Sequence, residues 1–438
     1  MNTRPILVLL LTLCCVGNAA VAQETKLATQ RTAPKWKNGP PADESYFPIA
    51  VWLQDPKNAA RYKAAGINLY VGLWRGPTTN QLAVLQQAGM SVIFRQNRAG
   101  LENKDHPSIV GWMHDDEPDN AQSLGQGKGY GPPILPEKIA RDYERMRAAD
   151  PTRPVLLNLG QGVAWDNYIG RGVRRNHPED YAEYVKGCDI ASFDIYPAVH
   201  DKPEVAGKLE FVAHGVERLV QWARGEKTVW NCIECTHISN PQIKATPLQV
   251  RAEVWMALIH GSRGLIYFVH QFKPTFKEAA LLDDREMLAA VTAINRQIHE
   301  LAPVLNSSSI VDGVSVRTEA PSTAFRTPSP PRETPSPLNR ERAGVRGESG
   351  QPQSSSTNDP PISWMLKRRG DTAYLFAVNM RNLSMRGAFI IRESALALGQ
   401  SLSATVLDES RSIPMRNGEL TDEFKPYEVH LYELRRAK

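Results

Sequence analysis

Phe47-Pro-Ile-Ala-Val-Trp52 is followed by an amphipathic run over residues 56–65, a stop at Gly66, and then Ile67-Asn-Leu-Tyr-Val-Gly-Leu73. This stretch reads as strand, helix, strand. Short runs that are apolar on almost every residue suit strands buried on both faces, as in a parallel sheet covered by helices. Glycine just past the last helical turn is the expected stop. The unit then repeats. A helix over 79–88 stops at Gly89 and leads to Met90-Ser-Val-Ile-Phe94, and a fourth strand follows at 109–113. Val155-Leu-Leu-Asn158, Asp189-Ile-Ala-Ser-Phe-Asp194, a run over 228–234 and Leu265-Ile-Tyr-Phe-Val269 complete the set, with helical patterns between them and a closing helix over 285–301. Eight strands in about 260 residues, spanning 46–303, predict a (β/α)8 barrel. The third unit has the weakest helical pattern. A doubly wound open sheet is the alternative, but no Gly-x-Gly-x-x-Gly turn follows the first strand.

Outside the barrel the chain changes character. Residues 304–438 predict a small antiparallel β-sandwich domain. Its strands are placed at 309–316, 362–367, 372–378, 387–391, 403–407 and 428–433. Residues 318–361 are rich in Pro, Ser, Thr, Arg and Glu and nearly free of large apolar side chains. They predict a disordered insertion, because they cannot bury enough surface to offset the entropy of ordering. At the other end, Arg4, the apolar run 6–16 and Ala20-Val-Ala22 predict a signal peptide over 1–22, cut before Gln23. A lipoprotein signal would use Cys14 or Cys15, but bulky Leu13 precedes them. Residues 23–45 read as a polar leader. The expected location is therefore periplasmic or extracellular, with no membrane attachment after cleavage.

Composition narrows the function classes. The chain has 438 residues, 42% of them hydrophobic, so a substantial core is affordable in sequence terms, and its net charge is +5. That charge is mild for the length and no basic patch carries interleaved aromatics, so nucleic acid is not an expected partner. Beyond the signal, Cys188, Cys232 and Cys235 remain, an odd number that argues against a disulfide framework. Cys232-x-x-Cys235 lies in a predicted strand rather than at a helix N-terminus, and reads as buried thiols.

Two strands end in acids. Ile109-Val-Gly-Trp-Met-His-Asp-Asp-Glu-Pro-Asp119 brings Glu117 to the end of strand four, and Thr228-Val-Trp-Asn-Cys-Ile-Glu-Cys-Thr-His237 brings Glu234 to the end of strand seven. Groups at the C-terminal ends of barrel strands converge on one face, and two carboxyls there are what glycoside hydrolysis uses. Taken singly, Asp-Asp-Glu-Pro-Asp is also a helix start, with acids suited to the dipole and proline to the first turn. Glu234 could equally pair with an arginine at the rim. The conjunction of both acids with the strand count favours catalysis.

The barrel resembles the large clan of retaining (β/α)8 glycoside hydrolases that contains family 42 β-galactosidases, β-agarases and cellulases. Trp112-Met-His-Asp-Asp-Glu-Pro118 is similar to the acid/base motif of that clan, and Trp230-Asn-Cys-Ile-Glu234 to its nucleophile strand. The resemblance implies Glu117 as acid/base, Glu234 as nucleophile, a double displacement on a poly- or oligosaccharide, and no cofactor. It also implies carboxyls about 5–5.5 Å apart. Asp116 stands where the clan carries Asn. An ionised Asp only accepts hydrogen bonds, so it would bind a sugar hydroxyl with reversed polarity and raise the pKa of Glu117.

Further substrate-binding candidates are His114, Asn158, Asp194 and Tyr196 at strand ends. Trp74 and Trp165 sit in loops and could stack on sugar faces, while His237 and His270 follow strands seven and eight. No His-Glu-x-x-His spacing indicates a metal. Asp115, Asp116 and Asp119 as a metal-dependent hydrolase is a weaker reading, since a helix start explains them. A non-catalytic carbohydrate-binding protein on a degenerate barrel is the main alternative, and Asp116 is the feature that favours it.

Overall fold

The structure is a computed structural model that describes residues 36–319, 360–392 and 402–436. The expected signal peptide, the leader up to residue 35 and residues 320–359 of the expected insertion lie outside the described residues. The barrel strands are β1 (Ile49–Gln54), β2 (Leu69–Leu73), β3 (Ser91–Arg95), β4 (Ile109–Met113), β5 (Val155–Leu159), β6 (Ile190–Phe193), β7 (Thr228–Val229), β8 (Asn231–Glu234) and β9 (Leu265–Phe268). All pair in parallel, and Ile49 against Leu265 closes the sheet on itself. β2, β4, β5 and β6 are buried on every residue, as their unbroken apolar runs demand.

The run over 228–234, expected as one strand, is two pieces. β7 pairs only with β6, and β8 only with β9. The hand-over occurs at Trp230, whose N–H donates to Ala191 O at 2.9 Å, while Asn231 N–H already turns to Gly264 O at 3.3 Å. With β7 and β8 sharing one position, the barrel has eight. The Trp230 indole is buried and fills the space above Gly264, where a Cβ would lie 2.6 Å from its ring. Because the neighbour is a rigid buried ring, Gly264→Ala should destabilise the fold by about 1–3 kcal/mol. A chemical-denaturation midpoint equal to that of the wild type would contradict this packing.

The helices are α1 (Ala59–Ala64), α2 (Thr79–Ala88), α3 (Arg98–Glu102), α4 (Pro136–Ala149), α5 (Asp180–Tyr184), α6 (Glu210–Ala223), α7 (Pro247–Ile259), α8 (Ala280–Asp283) and α9 (Arg285–Leu305). Both α2 and α7 begin with reciprocal capping boxes, Thr78 with Gln81 and Thr246 with Gln249. In the third unit α3 is barely more than one turn, matching its weak pattern.

The C-terminal region forms two antiparallel sheets. One joins β10 (Val314–Glu319), β13 (Met385–Ile391) and β16 (Glu419–Phe424). The other runs in the order β11 (Ile362–Arg369), β12 (Thr372–Asn379), β17 (Val429–Arg436), β14 (Leu402–Val406), β15 (Arg411–Pro414). The five-stranded sheet lies between barrel helices and the three-stranded sheet. Alternate residues of β12 serve the two sides. Phe376 and Val378 join the barrel core, with Phe376 5.2 Å from the Trp255 ring of α7. Ala373, Leu375 and Ala377 face the other way, into a core with Phe389 and Phe424. Two strands, β15 and β16, were not expected from sequence, because they carry few apolar residues.

Candidate active site

β4 ends at Met113, and the next residues bend over the barrel mouth. Glu117 has a φ of +43°, a left-handed conformation that costs a non-glycine residue energy and is held here by its neighbours. Its N–H donates to Asn158 O at 3.1 Å, tying the end of β4 to β5, and its C=O accepts from Asn120 N–H at 3.1 Å. This backbone turn aims the Glu117 side chain at the loop after β6, where Asp194 stands. The carboxyls of Glu117 and Asp194 face each other closely enough to share a hydrogen bond.

Asp116 completes an acidic group of three. Asn158 Nδ2 donates to Asp116 Oδ1 at 2.9 Å, and the amide is oriented by Ser192, whose hydroxyl donates to Asn158 Oδ1 at 2.8 Å. The Cys232 thiol of β8 lies 3.8 Å from the same oxygen. Residues of β5, β6 and β8 thus set the polarity of one contact to Asp116. Burial, then the charge of Asp194, then that of Asp116, hold Glu117 well above the usual carboxylate range. Asp116 is exposed, although it stands among the protein atoms of the barrel mouth. Those surroundings and the charge of Asp194 push it up to about 7. Asp194 rises to about 6 through burial, opposed by the facing Glu117 carboxyl and the nearby Tyr196 hydroxyl. The proton therefore sits on Glu117, which donates to an ionised Asp194. The Tyr196 hydroxyl is buried and has no hydrogen-bond partner within normal distance among the described residues.

Asp119 has a different role. It is fully buried, with Oδ1 accepting from Gly160 N–H at 2.9 Å and Oδ2 from the Tyr181 hydroxyl at 2.8 Å. Asp115 is exposed and pairs with Arg95 at 2.8 Å. Asp115, Asp116 and Asp119 thus diverge to three separate partners, and no group of His, Cys, Asp and Glu arranged to hold a metal ion occurs among the described residues.

Glu234 requires a correction. It does not face Glu117. Its side chain is fully buried, with Oε1 accepting from Ala198 N–H at 2.6 Å and Oε2 from Val199 N–H at 3.0 Å. Its carboxyl partner is Glu253 of α7, and Asp116, Glu117 and Asp194 are not among the groups that act on it. The physical reason is local. β8 ends at Glu234, and the two free amides of the loop after β6 capture the carboxylate between that loop and the helix layer. His114 also departs from the expected cleft position. Its Nε2 bonds Gly187 O at 2.8 Å, it is buried, and the charged groups near it are Asp142 and Lys138 of α4 and Asp115.

Two groups of aromatic rings lie near the acids. In one, Trp165 lies 5.9 Å from Tyr168 and 5.6 Å from His200, and Tyr168 feels the charges of Glu117 and Asp194. In the other, a chain of rings starts beside the acids. Tyr196 meets Phe268 at 5.1 Å, Phe268 meets His270 at 5.3 Å, and Phe276 meets Trp74 at 5.5 Å with planes 26° apart. Phe272 and Phe276 are 46% and 49% exposed, unusual for phenylalanines, so they offer ring surface at the rim. Sequence reasoning found Trp74 but missed Phe272 and Phe276. The signal available was Phe272 and Phe276 within a loop that also carries Pro274. His270 is buried behind these rings, where burial lowers its pKa to about 4, so it is neutral. His237 is half-buried and bonded through Nδ1 to Asn240 O and Ile243 O. It lines a separate cavity of about 320 Å³ with Lys244, Lys277 and Arg285.

No protein-family model matches the sequence, and no curated protein does. Solved structures are similar in fold. A candidate alpha-galactosidase of Bacteroides fragilis aligns at 8% identity and a TM-score of 0.47, over 90% of this chain and 80% of that one. A glycoside hydrolase family 30 subfamily 8 xylanase of Clostridium acetobutylicum aligns at 9% and 0.42, over 89% and 96%. An alpha-amylase of Geobacillus thermoleovorans, complexed with acarbose, aligns at 9% and 0.42, over 90% and 99%. At TM-scores below 0.5 these likenesses carry no argument about this chain.

Proposed function

We propose that the cleft hydrolyses O-glycosidic bonds of a poly- or oligosaccharide, with Glu117 as the general acid. The observation that supports this most is Glu117 held against Asp194 and Asp116 at the barrel mouth, with aromatic side chains of the loops after β5, β6 and β9 nearby. Sugars offer apolar ring faces and hydroxyls, which suit stacking surfaces beside carboxylates. Glu117 donates its proton to the leaving oxygen as the bond breaks. Positive charge then grows on the sugar ring, and the ionised carboxylates of the cluster stabilise it. Asp194 holds the Glu117 proton in place at neutral pH; a water molecule then attacks the anomeric carbon, forming the new C–O bond, and its proton returns to Glu117 beside Asp194. The N-terminal segment adds export to this reading.

The double-displacement form with Glu234 as nucleophile needs that carboxyl about 5–5.5 Å from Glu117. Both Glu234 oxygens are instead bound to backbone amides, so hydrolysis is assigned to Glu117 with Asp194 as its carboxyl partner. The same withdrawal of Glu234 favours a second reading, a carbohydrate-binding protein without turnover. A panel of polysaccharides and oligosaccharides separates the two. Release of new reducing ends by the purified protein supports the hydrolase. Saturable binding without release establishes the binder.

The rim aromatics carry a prediction of their own. Phe276→Ala removes an exposed ring stacked on Trp74 and should raise KM about two- to tenfold with little change in kcat, as expected for a stacking contact of about 0.5–1.5 kcal/mol. An unchanged KM across substrates of several lengths would remove this wall from the binding surface.

A further inference from the structure

Glu234 and Glu253 are fully buried and face one another, yet the proposed chemistry uses neither. Neither Glu253 oxygen has a hydrogen-bond donor among the described residues, so its only route to satisfaction is to carry a proton and donate to Glu234. Glu234 then accepts from three sides: Glu253, Ala198 N–H and Val199 N–H. Ala198 and Val199 come directly after the segment that carries Asp194 and Tyr196. The other titratable groups around the pair are the Cys235 thiol and, beyond it, Asp284, and no cation acts on either glutamate. Two bare carboxylates cannot coexist there, so the contact depends on one shared proton.

We propose that Glu234 and Glu253 are positioning residues, a single-proton clamp that grips the 197–199 loop and thereby holds Asp194 and Tyr196 against Glu117. Both acids sit above the ordinary carboxyl value of 4.5, with Glu253 the protonated partner. The sign of the pH effect follows. The one-proton clamp is complete between the two folded-state values: below about 7 Glu234 takes up a proton of its own, and above the higher Glu253 value the shared proton leaves. Glutamine at 253 offers an N–H donor at every pH and has no proton to lose.

The effect on turnover rests on the hydrolase reading, whereas the effect on the loop does not. The experiment is amide hydrogen exchange of the peptide covering residues 196–199 in the full chain, run alongside a pH–rate profile. In the wild type, protection of the Ala198 and Val199 amides, corrected for intrinsic rates, should be highest a little above neutral pH and fall as pH rises further, when Glu253 loses the shared proton. Glu253→Gln should keep that protection at alkaline pH and move the alkaline limb of kcat upward. Glu234→Gln should speed exchange by at least about tenfold at pH 8. It should lower kcat with KM little changed. If Glu253→Gln proves unstable, the Glu234→Gln exchange result decides alone. Protection that does not depend on pH in the wild type, or is unchanged by Glu234→Gln, overturns the clamp. Normal loop exchange changes in a protein that releases no sugar overturn only the hydrolase reading.

Discussion

Glu117→Gln should lower kcat by about a hundred- to ten-thousandfold on a natural glycoside, the range that a positioned general acid supplies. The loss should depend on the leaving group. A glycoside whose leaving phenol is strongly acidic departs without a proton, so the variant should retain much more activity on it than on an alkyl glycoside. That contrast separates loss of an acid from loss of the fold. Gln keeps the shape and a hydrogen-bond donor toward Asp194, and it replaces a group that is already neutral in the folded state. The unfolding midpoint near neutral pH should therefore stay close to that of the wild type. Equal activity of the two proteins on an alkyl glycoside would remove Glu117 from the chemistry.

Asp194→Asn is expected to produce the second large effect. Asp194 is the strongest charged contributor to the raised pKa of Glu117, after burial. Asn removes that charge, so the Glu117 pKa falls. Activity needs protonated Glu117 and is lost as pH rises through its pKa, so the alkaline limb of kcat should move to lower pH. At neutral pH the variant should be at least about tenfold slower, and part of that loss should return on acidification. A uniformly lower rate with an unmoved limb would mean that Asp194 acts on substrate rather than through Glu117.

Much of the fold was legible because its signals are local. Apolar runs that end abruptly, with glycines after the helices, located every barrel strand to within about two residues. The gathering of Asp116, Glu117, Asn158, Asp194 and Tyr196 was legible for a topological reason: in a closed barrel, the ends of neighbouring strands meet at one mouth. Glu234 was not legible. Its fate depends on Trp230, where the strand changes partner, on two amides that sit 35 and 36 residues earlier in the chain, and on Glu253 of the following helix. None of these leaves a mark in the pattern around residue 234. His114 failed for a simpler reason, since a strand-end residue can face the helix layer as readily as the mouth. Phe272 and Phe276 lie in a loop, where apolar periodicity says nothing about which rings stay exposed. The β15 and β16 strands were missed because partly exposed strands in a small sandwich need few apolar residues.

The protonation state of Glu117 underlies every step assigned to the cleft. A carbon-13 NMR titration of the side-chain carboxyls, with the Glu117 signal assigned by its absence in Glu117→Gln, measures it directly. The signal should keep the chemical shift of a protonated acid well past pH 4.5 and titrate together with Asp194 and Asp116. A signal that titrates alone, at the ordinary glutamate value, would contradict the shared-proton site and the general acid built on it.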